Sequence, residues 1–177
     1  FDKIVSVEMF EHVGRYHLPE YFSQVYRLLK PGGLFLNHGI ARRGLPSDLS
    51  LIRGLNRPSE SYMIRQSIFE RNLVGVGSFS QQYIFPDREL VTLSEANLIA
   101  ESAGFEVRDV ENLREHYAFT LRNWVRRLEE QRADAARLTG EAVYRTWRLY
   151  MSFCALSFEA GRTNVNQTLL AKPVNGK

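Results

Sequence analysis

The first forty residues switch from a strand-like apolar run to a helical stripe and back. The stretch DKIVSV (2–7) is short, β-branched and apolar, which is typical of a strand buried on both faces. A helix pattern begins at Leu18-Pro19 and ends at the KPGG stretch (30–33), and LFLNHGI (34–40) predicts the next strand. The apolar face of that helix comprises Phe22, Val25, Tyr26 and Leu29. Strand, helix and strand in this order predict a βαβ unit of a parallel sheet, and hence an α/β fold.

The second half of the chain continues this pattern and adds long helices. Thr92 and Glu95 form a capping-box pattern that predicts a helix ending at Gly104, followed by a strand over FEVRDVENL (105–113). Two long helices come next, and NVNQTLLAK (164–172) predicts a last strand. Their apolar stripes comprise Tyr117, Leu121, Trp124, Val125 and Leu128 in the first, and Val143, Trp147, Tyr150, Met151, Cys154 and Phe158 in the second. We interpret 114–161 as a helical cover inserted before the last strand.

The segment 41–82 is less regular and is interpreted as a variable insertion. Short helices are predicted over DLSLIRGLNR (48–57) and YMIRQSIFERNL (62–73), and GVGSF (75–79) is predicted to be flexible. Six arginines against three acids between residues 41 and 71 carry the whole net charge of +3. Such a segment is either a solvated loop or a surface for phosphate headgroups. The arginines are not interleaved with aromatic residues as a stacking platform requires, so we expect no nucleic-acid partner.

Composition narrows the class of protein further. With 177 residues, 44% of them hydrophobic, the chain can bury one core. The single cysteine excludes an internal disulfide framework and a multi-cysteine metal site, so we expect no metal and a reducing, cytoplasmic compartment. No apolar run reaches transmembrane length, and no signal-peptide layout is present. Because a strand begins within three residues of Phe1, we expect this chain to be the C-terminal part of a longer protein.

Two polar stretches follow consecutive predicted strands. Glu11 and His12 come after the first strand, and His38 lies at the end of the second. In parallel sheets, ligands gather beyond the carboxyl ends of the strands, which favours a functional role for these side chains. A carboxylate beside Phe10 is also costly to bury unless its charge or its hydrogen bonds are used. The alternative is that Glu11 opens a helix and faces water.

Several motifs together resemble a known enzyme family. FDKIVSVEMFEHVG, YFSQVYRLLKPGGLFLNHGI, QYIFPDREL, LREHYAFTLRNW and YMSFCALSFEAGRTNVNQTLLAK occur in order along nearly the whole chain. They resemble the cyclopropane-fatty-acyl-phospholipid synthases and the similar mycolic acid cyclopropane synthases, which are class I S-adenosylmethionine-dependent methyltransferases. The resemblance implies that residues 1–177 are the C-terminal part of one methyltransferase domain. They would form the second half of a Rossmann-like sheet, and the half with the cofactor loop would lie upstream.

The resemblance also implies a reaction and a set of site residues. The reaction transfers a methyl group from S-adenosylmethionine to a cis double bond of a lipid acyl chain, leaving a carbocation that must lose a proton. A bound bicarbonate would be the base, held by Glu11, His38, Tyr117 and the backbone of Ile40. Cofactor contacts are expected from Ser6, Val7, Glu8 and His12, with backbone groups of the first three at the methionine moiety.

Three further residues are expected to have structural roles or lie close to the site. Cys154 matches a cysteine that the family assigns to its active site, yet its apolar stripe indicates a buried, inert thiol. Gln167 is expected to be a structural hydrogen bonder, and His116 is expected to be a neighbour of Tyr117 rather than a participant.

The partners follow from the same resemblance. We expect phospholipid acyl chains as the acceptor and a cytoplasmic protein peripheral to the inner membrane surface, and a homodimer is left open. Two alternatives remain: a methyltransferase that acts on another small-molecule acceptor, and a non-catalytic lipid-surface module.

Overall fold

The computed structural model describes residues 1–44, 77–86 and 89–174, and the chain divides into two compact units. The first, here called the sheet unit, consists of Phe1–Gly44, Asp87–Leu113 and Asn164–Lys177. The second, here called the helical unit, consists of Leu45–Pro86 and Arg114–Thr163.

The sheet has four strands in the part of the chain that the structure describes. They are β1 (Lys3–Val7), β2 (Leu34–Arg42), β3 (Glu106–Asn112) and β4 (Thr163–Ala171), in the spatial order β1-β2-β4-β3. β1 pairs with β2 in parallel and β3 pairs with β4 antiparallel. Backbone hydrogen bonds join Gly33 to Lys172, and a side-chain contact joins His38 to Gln167, so β4 runs antiparallel to β2 as well. Three strands therefore run parallel and β4 is reversed, which confirms the predicted α/β fold.

The helices that the structure describes begin and end close to the predicted boundaries. They are α1 (Leu18–Leu28), α2 (Gly77–Tyr83), α3 (Leu93–Ser102), α4 (Arg114–Glu130), α5 (Arg132–Thr139) and α6 (Glu141–Glu159), with short 3₁₀ turns at Phe10–His12 and Arg15–His17. Pro19 lies in the first turn of α1, where its missing N–H costs nothing. Thr92 caps α3 by accepting a hydrogen bond from the Glu95 N–H at 3.1 Å.

The core of the sheet unit is built around three phenylalanines from different elements. Phe22 of α1, Phe35 of β2 and Phe105 before β3 are each 4% exposed or less. Their rings meet at centroid distances of 5.9 to 6.5 Å, and two of the three pairs are edge-to-face. Such contacts add to the free energy gained by burying the rings. The parallel strands are thereby held against α1 and α3.

The helical unit is an antiparallel packing of α4 against α6. Two ion pairs show the direction: Arg122 in the middle of α4 meets Glu159 at the end of α6, and Glu129 late in α4 meets Arg148 in mid-α6. Short α5 lies between them, and Gly140, with a φ of 86°, separates α5 from α6. The apolar pattern predicted the two long helices but not α5, whose residues are too polar for a helical stripe.

Some sequence-based expectations need correction. Trp124, Val143 and Trp147 are 41 to 44% exposed, so the predicted stripes are only partly buried, and α6 instead buries Tyr144 and Ala155. The flexible segment predicted over 75–79 is wrong for its described part, since α2 begins at Gly77. The helices predicted over 48–57 and 62–73 lie outside the described residues, and the boundaries of the insertion (41–82) and of the cover (114–161) stay predictions. Within the described ranges, no helix is long and apolar enough to cross a membrane.

Removing the central ring of the core should destabilise the protein strongly. Phe35 is 0% exposed, so Phe35→Ala leaves a cavity among aromatic rings and is expected to lower the free energy of unfolding by about 3–5 kcal/mol. Urea unfolding followed by circular dichroism measures this. Leu98→Ala is the control, because Leu98 is 55% exposed on α3 and its truncation is expected to cost under about 0.5 kcal/mol. Equal losses in the two variants would contradict this description of the core.

Candidate active site

Glu11 is buried against the second strand instead of facing water. It lies in the 3₁₀ turn Phe10–His12 directly after β1 and is 1% exposed. The turn packs onto Gly39 of β2, where an added Cβ would stand 2.4 Å from Cδ1 of Phe10 and 2.8 Å from Oε2 of Glu11. The missing side chain of Gly39 is what makes room for the carboxylate. The alternative of a solvent-facing, helix-opening acid is therefore wrong.

A network of backbone and side-chain contacts holds this turn in place. The N–H of Glu89 donates to the carbonyl of Glu11 at 3.2 Å, and the carboxylate of Glu89 accepts from the N–H of Arg15 at 2.9 Å. The Arg15 guanidinium also pairs with Glu95 of α3. The carboxylate of Glu11 thus lies on a turn that these contacts hold to Glu89 and to α3, as a preorganised site requires.

Tyr21 and Asn37 form a hydrogen-bonded polar pair near Glu11, which the sequence analysis missed. The Tyr21 hydroxyl donates to Oδ1 of Asn37 at 3.0 Å, and Asn37 is 5% exposed. Burial raises the pKa of Tyr21 to about 12; the nearby hydroxyl of Ser6 acts against this shift, and the charge of Glu11 acts in the same direction as burial. An asparagine inside the apolar LFLNHGI strand was the available signal, because a buried amide must find a partner.

His38 is held between two side chains. The Nε2 atom of Gln167 lies 3.2 Å from Nδ1 of His38, and Nε2 of His38 lies 3.2 Å from Oε1 of Glu8. An amide nitrogen only donates, so Nδ1 accepts and the proton is assigned to Nε2, which faces the carboxylate. The structural hydrogen-bonding role expected for Gln167 is confirmed, and β4 is the strand that supplies it.

Glu8 adopts an unusual backbone conformation at the end of β1. Its φ is 53°, in the left-handed region that costs a residue with a side chain roughly 1–2 kcal/mol. Its N–H donates to the carbonyl of His38 at 2.9 Å, which continues the β1–β2 pairing by one residue. Strain of this kind concentrates at functional sites. The sequence pointed to the backbone of Glu8, whereas the structure brings its carboxylate to His38.

The remaining predicted cofactor contacts lie along β1. Ser6 and Val7 line a groove of about 640 Å³ between β1 and α1, whose walls are mainly apolar. Val7 is 60% exposed there, and His12 is exposed on the turn. Buried Ile40 follows Gly39 in β2. Glu8 and Glu11 follow the carboxyl end of β1, and negative charge at this end of the strand suits the positive charge of a sulfonium cofactor.

Tyr117 and Cys154 belong to the helical unit. The Tyr117 ring meets Phe158 edge-to-face at a centroid distance of 4.9 Å and Trp124 at 6.3 Å, which forms an aromatic cluster on α4 and α6. Cys154 is partly exposed on α6, so the expectation of a fully buried thiol is wrong. His116 is exposed beside Tyr117.

A bicarbonate ion does not fit the sheet unit as it stands. Nε2 of His38, the donor which the ion would need, already has Oε1 of Glu8 at 3.2 Å. A third negative group beside the carboxylates of Glu8 and Glu11 would also be disfavoured by like-charge repulsion. Of the expected holders, Glu11, His38 and Ile40 lie in this unit and Tyr117 lies in the helical unit.

Known proteins share both this sheet and this sequence. Three parallel strands with a reversed β4 form the second half of a class I methyltransferase sheet, and solved cyclopropane synthases superpose on it. The structure of the cyclopropane synthase MmaA2 from Mycobacterium tuberculosis matches with a TM-score of 0.78 and 30% identity, over 97% of this chain and 55% of that one. The mycolic acid cyclopropane synthase CmaA1, complexed with SAH and CTAB, matches with a TM-score of 0.78 and 33% identity, over the same shares.

The family follows from the sequence comparison. The model of the mycolic acid cyclopropane synthetase family matches residues 1–168, and this chain belongs to that family. A probable fatty acid methyltransferase of Pseudomonas putida is 40% identical over 173 residues, which are 98% of this chain and 38% of that protein. The chain thus spans between about a third and about half of the length of the curated relatives it matches.

A side chain at Gly39 should displace the Glu11 turn. Gly39→Ala is expected to lower the free energy of unfolding by about 1–3 kcal/mol, because its methyl group overlaps the Phe10 ring. Urea unfolding measures the loss. Gly14→Ala is the matched control: its added methyl meets nothing within 4 Å, and only its φ of 80° costs roughly 1 kcal/mol. A Gly39→Ala protein as stable as the parent would show that the turn does not pack there.

The raised pKa of Tyr21 should make stability fall at alkaline pH. The unfolded phenol titrates near 10 and the folded one near 12, so between these values only the unfolded state releases its proton. The contribution of Tyr21 is complete below pH 10 and is lost at up to about 1.4 kcal/mol per pH unit as pH rises towards 12. Urea unfolding from pH 9 upward, compared between the parent and Tyr21→Phe, measures it. Parallel curves would contradict the shift.

Proposed function

We propose that this protein is an S-adenosylmethionine-dependent methyltransferase that adds a methylene group across a cis double bond of phospholipid acyl chains. The observation that carries the proposal is the placement of two carboxylates at the carboxyl edge of the methyltransferase sheet, Glu8 beside His38 and Glu11 against Gly39. Transfer of a methyl group to an uncharged oxygen or nitrogen leaves a proton on that heteroatom, which water can remove. Transfer to an alkene leaves a carbocation, which needs a base held nearby.

Two relatives support a lipid acceptor. The protein from Pseudomonas putida is described as a probable fatty acid methyltransferase. The CmaA1 structure contains SAH, the demethylated cofactor, together with CTAB, a long alkyl chain with a cationic head. An acyl chain has the same linear, apolar form, so a related channel here would suit a phospholipid tail.

The residues of this chain meet the needs of the reaction in two places. The cofactor would supply a methyl group activated on a sulfonium. The groove at Ser6 and Val7, together with the backbone of Glu8 and the exposed His12, is the proposed cofactor side. Within the helical unit, the Tyr117 cluster contains aromatic rings, whose π electrons attract positive charge such as that of a carbocation.

The base of the proposed reaction removes a proton from the newly added methyl group. The family resemblance implies a bicarbonate ion held by Glu11, His38, Ile40 and Tyr117. In this chain the carboxylate of Glu8 already stands at Nε2 of His38. The proposed function needs a base at this position and does not depend on its being bicarbonate.

The setting of the reaction is part of the proposal. Phospholipid acyl chains are reached at a membrane surface, so we propose a cytoplasmic protein that binds peripherally to the inner membrane, alone or as a homodimer. The arginine-rich residues 41–71 would meet anionic headgroups through charge attraction.

Isotope transfer tests the proposal directly. The protein, with whatever natural sequence flanks this chain, is incubated with methyl-labelled S-adenosylmethionine and vesicles of monounsaturated phosphatidylglycerol. Mass spectrometry of the lipids should place the label in a ring at the former double bond. Glu11→Gln is expected to lower the rate by about 100-fold, in the range for loss of a group that supports the general base.

One variant serves as the control, and two outcomes would contradict the proposal. Glu101→Gln changes an exposed carboxylate on α3 and should leave the rate unaltered. If calorimetry shows that the cofactor binds while the lipid stays unlabelled, the acceptor is another small molecule and the lipid assignment fails. Vesicle binding that is lost with added salt, without cofactor binding, would instead indicate a non-catalytic lipid-surface module.

A further inference from the structure

The carboxylate of Glu8 occupies the position at which an anion would meet His38. The two groups are 3.2 Å apart, and the Glu8 side chain is 33% exposed, so it is sheltered but still accessible from the edge of the sheet. The contact does not follow from strand geometry alone. A residue in the left-handed region turns its side chain away from the alternation of an extended strand, and the φ of 53° does this for Glu8.

A third residue decides which nitrogen of His38 carries the proton. Gln167 donates to Nδ1, which leaves Nε2 as the protonated nitrogen, and Nε2 is the atom that faces Glu8. Gln167 and His38 are 129 positions apart in the sequence, so β4 brings this support from a distant part of the chain. His38 is thereby prepared to hold one carboxylate in a defined orientation.

We propose that Glu8 supplies the anion of this site, and that its carboxylate, not a bicarbonate ion, accepts the proton released during ring closure. The inference rests on the proposed function, because the proton in question exists only if a methyl group is added to an alkene. The alternative, a bicarbonate ion beside Glu8 and Glu11, would add a third negative charge to one edge of the sheet.

The step balances without any further reactant. The π electrons of the double bond form a new C–C bond to the methyl group while the S–CH₃ bond breaks, and the neighbouring carbon becomes a cation. A C–H bond of the new methyl group then breaks. Its proton goes to the Glu8 carboxylate, and its electron pair forms the third C–C bond of the ring. The carboxylic acid later releases the proton to water.

The dependence of the reaction rate on added bicarbonate shows whether Glu8 or a bicarbonate ion is the base. The parent protein, with its natural flanking sequence, and the variants Glu8→Gly and Glu8→Gln are assayed on monounsaturated phosphatidylglycerol vesicles. The buffer is depleted of carbon dioxide and then supplied with millimolar bicarbonate. The parent rate is expected to change less than twofold on addition. Glu8→Gly is expected to lose about 100-fold without the ion and to recover at least tenfold with it, since the vacated space beside His38 can then hold the ion.

The glutamine variant distinguishes catalysis from support of His38. Its amide oxygen can stand beside Nε2 of His38 in place of the carboxylate oxygen but cannot take a proton, and its bulk keeps the ion out. Glu8→Gln is therefore expected to stay about 100-fold slower in either buffer. Full activity of Glu8→Gln would overturn the proposal and leave Glu8 as a positioning residue. A parent protein that needs bicarbonate, or a Glu8→Gly protein that is fully active without it, would also overturn it.

A binding measurement keeps this test separate from that of the proposed function. ¹³C-labelled bicarbonate is titrated into the parent and Glu8→Gly proteins without lipid, and its NMR line width reports binding. Glu8→Gly is expected to bind the ion and the parent is not, with melting temperature as the check that both are folded. Because φ of 53° suits glycine, this variant should melt no lower than the parent. Bicarbonate binding by the parent overturns the inference, even if no lipid product is ever found.

Discussion

The parallel pairing of β1 with β2 is the constraint on which the candidate site depends. Its register sets Val7 beside His38, and the hydrogen bond from Glu8 to the carbonyl of His38 extends that register by one residue. The chain then turns back over β2, and this return is possible only where β2 has no side chain, at Gly39. Glu8 and Glu11 are thereby both brought to β2, although a 3₁₀ turn and α1 lie between them and β2 in the sequence.

Burial gives these polar groups their properties. A phenol such as Tyr21 keeps its proton to a higher pH because its charged form would lose the stabilisation of water, and the charge of Glu11 adds to that effect. The Glu11 carboxylate is 1% exposed, so its charge is screened by little solvent. An edge of this kind attracts a cation such as a sulfonium and resists additional anions. This electrostatic character connects the proposed cofactor with the proposed role of Glu8.

The reversed strand β4 links the fold to the chemistry. It lies between β2 and β3, so a side chain from residue 167 reaches a histidine at residue 38. Without the hydrogen bond that Gln167 donates to Nδ1, either nitrogen of His38 could carry the proton. In the helical unit, the aromatic contacts of Tyr117 with Phe158 and Trp124 form an uncharged cluster of rings.

The elements of the fold could be predicted from local sequence patterns. β1, β2, α1, α3, β3 and β4 each have their own periodicity, cap or glycine stop, and the motifs around Glu11, His38 and Tyr117 carried the family resemblance. Local patterns also misled: Trp124 and Trp147 lie on apolar stripes yet remain substantially exposed, and polar α5 left no stripe to detect. Periodicity shows which residues share a helix face, but it does not show how much of that face another element covers.

The contacts within the site could only be decided by the tertiary structure. The fit of Glu11 against Gly39, the Tyr21–Asn37 hydrogen bond and the Gln167–His38–Glu8 chain each join residues that are far apart in sequence or on different elements. The left-handed backbone of Glu8 likewise has no local signature, since nothing in SVEMF demands it. By itself the sequence determined which residue types stand at the strand ends. Which of these residues contact one another depends on the register of the strands and on burial. Both arise only when the sheet is assembled.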